Sequence, residues 1–125
     1  AGHDLAYETD DLAAPRRIRR LFQAVPNLRL LACHLGGWRT WNEVLEQLAG
    51  LPIWLETSFT IGQCDPDLMM AIIERHPRQY LVFGTDSPWA DQAEELAAFR
   101  ALPLAEDLKS AALWDNALRF AGISR

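Results

Sequence analysis

Lysine is almost missing from this chain: Lys109 is the only one, and arginine carries the rest of the positive charge. With 17 acidic against 12 basic residues and a formal charge of −5, there is no broadly basic surface of the kind nucleic acids require. The one basic cluster, Arg16-Arg17-Ile18-Arg19-Arg20, has helical spacing. It reads as a solvated helix face with Ile18, Leu21 and Phe22 turned inward. Cysteine is equally scarce. Cys33 and Cys64 form neither a disulfide framework nor a metal-binding spacing, so Cys33 reads as a small hydrophobe inside a strand. A reducing, cytoplasmic setting is the expectation. No apolar run approaches the roughly 18 residues of a membrane span. The opening Ala1-Gly2-His3-Asp4 lacks the basic-then-apolar order of a secretory signal. Neither a membrane nor a nucleic acid is therefore expected as a partner.

What the chain does have is 125 residues, half of them hydrophobic, enough for one domain with a real core. From about residue 13 the pattern alternates between helix and strand. A helix over roughly 13–25 leads through Pro26-Asn27 to a strand from Leu28 to Cys33. Thr40, with Glu43 three residues on, predicts a capping box for a helix through Val44, Leu45 and Leu48 that stops at Gly50. Pro52 opens a strand running to Thr57. Asp65-Pro66 predicts a capped helix through Ile73, ended by Pro77, and Tyr80 to Phe83 forms the third strand. Ser87-Pro88 repeats the cap-and-proline pattern for a helix to about Ala101. Helical material follows from Glu106 to Leu113, then a last turn capped by Asp115 or Asn116 and closed near Gly122. Short strands, apolar on both faces and separated by helices, predict a parallel sheet with helical crossovers and a single domain over 1–125.

Two strand ends carry chemistry. Leu31-Ala32-Cys33-His34 runs into Leu35-Gly36-Gly37-Trp38, and Leu81-Val82-Phe83-Gly84-Thr85-Asp86 runs into Ser87-Pro88-Trp89. In alternating α/β folds the C-terminal strand ends hold the active site. His34 can serve as a metal ligand, a base or an electrostatic stabiliser, and Asp86 can ligate a cation or orient a water. Period-two geometry puts His34 on the face of Leu30 and Ala32, and Asp86 on that of Val82 and Gly84. Ala32 and Gly84, both small, would leave space beneath them. Gly36 and Gly37 let the chain turn away sharply. Trp38 and Trp89 are candidates for the rim of a pocket for a planar substrate. Glu56 and Ser58 are either outward-facing or part of that rim. His3, in a glycine-containing loop, is a further rim candidate. His76 is explained by its place at a helix C-terminus. A hydrolytic zinc site usually takes three protein ligands, and His34 with Asp86 makes two.

The segments His34-Leu35-Gly36-Gly37-Trp38, Leu55-Glu56-Thr57-Ser58, Phe83-Gly84-Thr85-Asp86-Ser87-Pro88-Trp89 and Asp115-Asn116-Ala117-Leu118-Arg119-Phe120 resemble, in that order, the amidohydrolase-related proteins. These form the branch of the metal-dependent hydrolase superfamily that includes aminocarboxymuconate-semialdehyde decarboxylase and related benzoate and resorcylate decarboxylases. The resemblance implies a (β/α)8 TIM barrel, of which this chain matches the C-terminal portion with strands six to eight. Ala1-Gly2-His3-Asp4 then corresponds to the loop after strand five, and the family's strand-five and strand-one histidine ligands fall outside the chain. It further implies a divalent metal, zinc foremost. Asp86 matches a metal ligand. His34 matches a group that positions or activates the metal-bound water, binds the ion, or moves a proton.

The function implied is that of a fragment of a divalent-metal hydrolase or non-oxidative decarboxylase acting on a small carboxylate, lactone or amide-like molecule. With most ligands absent, the 125 residues alone are expected to be inert and without a tight metal site. An open half-barrel would expose an apolar face lined by Leu30, Leu55 and Val82. Self-association, or association with a missing N-terminal half, is expected in consequence. The alternative is a non-enzymatic remnant or partner subunit that binds another chain through that face.

Overall fold

The computed structural model describes residues 1–2 and 12–124. Three short strands, β1 (Leu31–Ala32), β2 (Trp54–Glu56) and β3 (Leu81–Val82), form a parallel sheet in the order β1-β2-β3. Between and after them come helices α1 (Pro15–Ala24), α2 (Trp41–Gln47), α3 (Pro66–Arg75), α4 (Gln92–Ala101), α5 (Glu106–Ser110) and α6 (Asn116–Ala121). The alternation read from the sequence is the alternation found. No helix among the described residues is long and apolar enough to cross a membrane.

The strands are shorter than their apolar runs. Extended backbone continues to pair beyond them: the Trp54 amide donates to Leu30 O and the Thr57 amide to Val82 O. At the far edge of β3 the Phe83 amide turns instead to Ala112 O, so a helical segment occupies that side.

Register decides which face each residue takes. Ala32 pairs with Leu55 and Leu55 with Leu81, so these three share one face. They pack with Val44, Leu48, Ile72 and Phe99 in the core. The expected exposed inner face therefore needs correction: Leu55 points toward the helices, Val82 is also buried, and Leu30 is half-buried. At the base of the opposite face, Trp54 meets Tyr80 and Phe120 edge-on at 4.7 and 5.2 Å between centroids, and the Arg29 guanidinium lies 5.6 Å from the Phe120 ring. These aromatics fill part of what an open barrel would expose.

Helix starts follow local chemistry, with two corrections. Asp65 caps α3 as read, accepting from the amides of Asp67 and Leu68 at 3.0 Å each. The capping box at Thr40 does not form. The Thr40 hydroxyl donates to Gly37 O, and Glu43 instead accepts from the Arg16 amide and guanidinium at 3.2 and 3.1 Å. Helix α1 has Ala14 at its N-cap and no acid in its first turn, so the neighbouring helix supplies the missing acceptor. Ser87-Pro88 likewise does not open α4. That peptide is cis and lies in the preceding loop, and Asp91 caps α4 by accepting from Ala93 and Glu94.

Leu21 is half exposed, not turned inward with Ile18 and Phe22. Toward the end of the chain, a π-helical turn over 111–115 joins α5 to α6 without a break, so no capped restart occurs at Asp115 or Asn116. Buried Asn116 donates its amide to Arg78 O and Leu81 O at 2.8 and 2.7 Å, tying α6 to the start of β3. Lys109 is similarly structural, its ammonium held by Arg100 O and Glu106.

Candidate active site

At the C-terminal ends of the three strands stand Glu56, the last residue of β2, and His34 and Asp86, which lie in the connections after β1 and β3. His34 does not continue the alternation of β1. With φ of 58° it begins a left-handed turn shared with Leu35 at 50° and Gly36 at 89°. Only Gly36 takes that conformation without strain; for the other two it must be imposed by their surroundings. Leu35 is fully buried, and the Trp41 indole donates to His34 O at 3.0 Å. Gly37 is extended, and its role is close packing: a Cβ there would press on Thr40, Val44 and Pro15. Asp86 is the second strand-end residue with a left-handed backbone, at φ 57°.

His34 is oriented by the neighbouring strand end. Its Nδ1 lies 3.1 Å from Ser58 O and 3.2 Å from Ser58 Oγ. The same Ser58 hydroxyl donates to Glu56 Oε2 at 2.7 Å, while the Ser58 amide donates to Glu56 Oε1. Glu56 is only 9% exposed despite its charge. The space expected beneath Asp86 is accordingly filled, because the Glu56 carboxylate packs directly on Gly84, where a Cβ would overlap it.

Two further groups share this acidic field. Cys33 is exposed rather than inside β1. Its thiol is raised above the ordinary range by burial of the sulfur and then by Glu56, with a contribution from Asp86. Glu95, on α4, accepts from the Phe59 backbone and is also pushed up, by desolvation first and by Glu56 and Asp86 after it. Its Oε2 is buried without a hydrogen-bond partner among the described residues.

The remaining sequence candidates fall as follows. Trp38 is half-buried beside the site, edge-on to Phe59 at 6.4 Å, with the Arg39 guanidinium 4.5 Å from its ring. The chain's first residue runs alongside, Ala1 O accepting from the Trp38 amide. Trp89 is 79% exposed on the loop after Asp86. His3 lies outside the described residues. His76 is remote, near the start of β2, and its role differs from that expected. A buried ring rather than a cation facing the helix end, it contacts Ile53 O through Nε2 at 2.9 Å and is lowered to about 4 by desolvation.

Sequence reasoning left Glu56 and Ser58 undecided and missed Glu95. An acid directly after Ile53-Trp54-Leu55 was the available signal for Glu56, since a charge closing a buried strand needs partners. Nothing distinguished Glu95 from the solvated acids of α4. Among the described residues, no three histidine, cysteine or carboxylate side chains come together to hold a metal ion.

The amidohydrolase family model covers residues 7–123, and the chain belongs to that family. Its fold is that of part of a (β/α)8 barrel. It is similar to 5-carboxyvanillate decarboxylase from Sphingomonas paucimobilis, at 17% identity and a TM-score of 0.62 over 90% of this chain and 38% of that one. A dihydroxybenzoic acid decarboxylase from Polaromonas sp. JS666, with bound manganese and the inhibitor 2-nitroresorcinol, aligns at 18% and 0.65 over 90% and 39%. An amidohydrolase from Burkholderia multivorans with bound zinc aligns at 16% and 0.72 over 88% and 49%. The chain thus spans less than half the length of each of these three. A sequence search of curated proteins finds no match.

Proposed function

We propose that this chain carries the histidine and aspartate side of a divalent-metal amidohydrolase site that hydrolyses or decarboxylates a small carboxylate, lactone or amide-like molecule. The supporting observation is that His34 and Asp86 both follow strands of one parallel sheet and so stand at the same, C-terminal edge of it, where alternating α/β folds keep their active sites. Two structurally similar proteins are decarboxylases by name, and manganese and zinc occur among these neighbours.

Asp86 fits one ligand position, and His34 a second or the place of a base beside it. These two do not complete a set, so the remaining donors come from outside the described residues, from a complementary barrel segment or a second copy. A bound divalent ion supplies Lewis acidity and lowers the pKa of a bound water. The chain's own contribution is to hold and move the proton. In hydrolysis His34 takes it from the attacking water and returns it to the leaving group. In decarboxylation the bond to the carboxyl group breaks, carbon dioxide leaves, and His34 delivers a proton to the carbon left behind. Trp38 and Trp89 form the rim.

The test is Asp86→Ala in the active protein that contains this chain. Loss of about a thousandfold or more in kcat/KM is expected, the scale on which electrostatic and metal contributions act. Retained activity together with retained metal would remove Asp86 from the site.

A further inference from the structure

Ser58 presents two oxygens to the same nitrogen of His34. Ser58 O is a carbonyl and can only accept. Ser58 Oγ, 3.2 Å from Nδ1, is able to donate or accept, but its single hydrogen is directed to Glu56 Oε2 at 2.7 Å, the shorter contact of the two. Facing Nδ1 it therefore offers a lone pair. The carbonyl calls for a hydrogen on Nδ1, and the hydroxyl, as long as Glu56 takes its own hydrogen, accepts there too instead of competing to donate. A neutral imidazole with Nδ1–H has its free lone pair on Nε2.

We infer that Glu56 is the positioning residue of this site: through the Ser58 hydroxyl it fixes His34 in the Nδ1–H tautomer and leaves Nε2 as the basic nitrogen. Glu56 acts through Ser58 and does not touch the reacting atoms. Two features hold it to the task. The Ser58 amide fixes its other oxygen, and Gly84 leaves room for the carboxylate. The importance of this arrangement for catalysis rests on the reading of His34 as the proton-moving group. The tautomer itself is measurable without turnover, so the two ideas fail separately.

The experiment is nitrogen-15 NMR of the imidazole rings in the neutral form, where protonated and bare ring nitrogens are well separated and only three histidines contribute. In the wild-type chain, His34 should show a protonated Nδ1 and a bare Nε2. In Glu56→Ala the hydroxyl loses its acceptor and is free to donate to Nδ1 in competition with the carbonyl, moving His34 toward the Nε2–H form. Removing that hydroxyl as well, in the Glu56→Ala/Ser58→Ala double variant, leaves only the carbonyl and should restore Nδ1–H. Glu56→Gln must turn its single oxygen to the Ser58 amide and present its NH2 to the hydroxyl, so the hydroxyl hydrogen is again free for Nδ1 and the tautomer should shift as in Glu56→Ala. A purely structural glutamate would not produce a shift in both single variants and its reversal in the double variant. A folded Glu56→Ala chain with an unchanged tautomer would overturn the proposal. Should that variant not fold, a wild-type ring found as Nε2–H would overturn it equally.

Discussion

Gly84 is the residue on which the site's geometry turns, because the Glu56 carboxylate occupies the position its side chain would take. Gly84→Ala must push Glu56 away from Ser58. An added group in such a packed, polar position costs about 1–3 kcal/mol, which urea denaturation of the variant should record as a lowered midpoint. A midpoint equal to wild type would show that Glu56 has room to move. At this scale the positions of His34 and Asp86 after their strands were legible because each follows a buried run and precedes a glycine or Ser-Pro break. Glu56 was not, since period-two alternation places it on a face without saying what covers that face. The filling of the Gly84 space is a tertiary fact. So is the placement of Glu95, which faces Phe59 and the strand ends from a helix whose acids otherwise look solvated.

Among the elements, the junction of α3 with β2 has the clearest pH dependence. His76 Nε2–H donates to Ile53 O at 2.9 Å, and Nδ1 accepts from the Gly50 amide at 3.4 Å. The neutral ring is satisfied on both sides, whereas a second ring proton would face the Gly50 N–H. Folding lowers this group from 6.5 to about 4. The unfolded chain thus binds the proton first as pH falls. Stability is fully present above pH 6.5 and is lost progressively down to about 4, on the order of 3 kcal/mol in all. Chemical denaturation of wild type and His76→Gln between pH 7.5 and 4.5 separates this loss from that of the carboxylates. Wild type should lose more stability than the variant, and parallel curves would contradict the assignment. The sequence signals for elements were strongest where capping is local, as at Asp65. They failed at Glu43 and Ser87-Pro88 because the first acid serves a neighbouring helix and Asp91 offers α4 a closer acceptor.

At the scale of the whole molecule, the βα alternation was readable because each apolar run is bounded by turn residues and followed by a helical pattern. The parallel order β1-β2-β3 follows from that alternation. The closure of its base was not readable: Phe120, some sixty residues beyond Trp54, meets it only in the folded chain. The result is a segment of barrel that brings the ends of three strands to one side, with Glu56 closing β2 and His34 and Asp86 just beyond β1 and β3. The claim that a divalent ion belongs at that side is tested most directly by adding manganese(II) to the nitrogen-15-labelled chain and following paramagnetic broadening of its amides. Even weak binding is visible in this way. The expected result is broadening centred on residues 84–88 and 33–36 and abolished by Asp86→Ala. Broadening confined to the exposed acids of α4 and α5, or unchanged in that variant, would contradict the placement of the site.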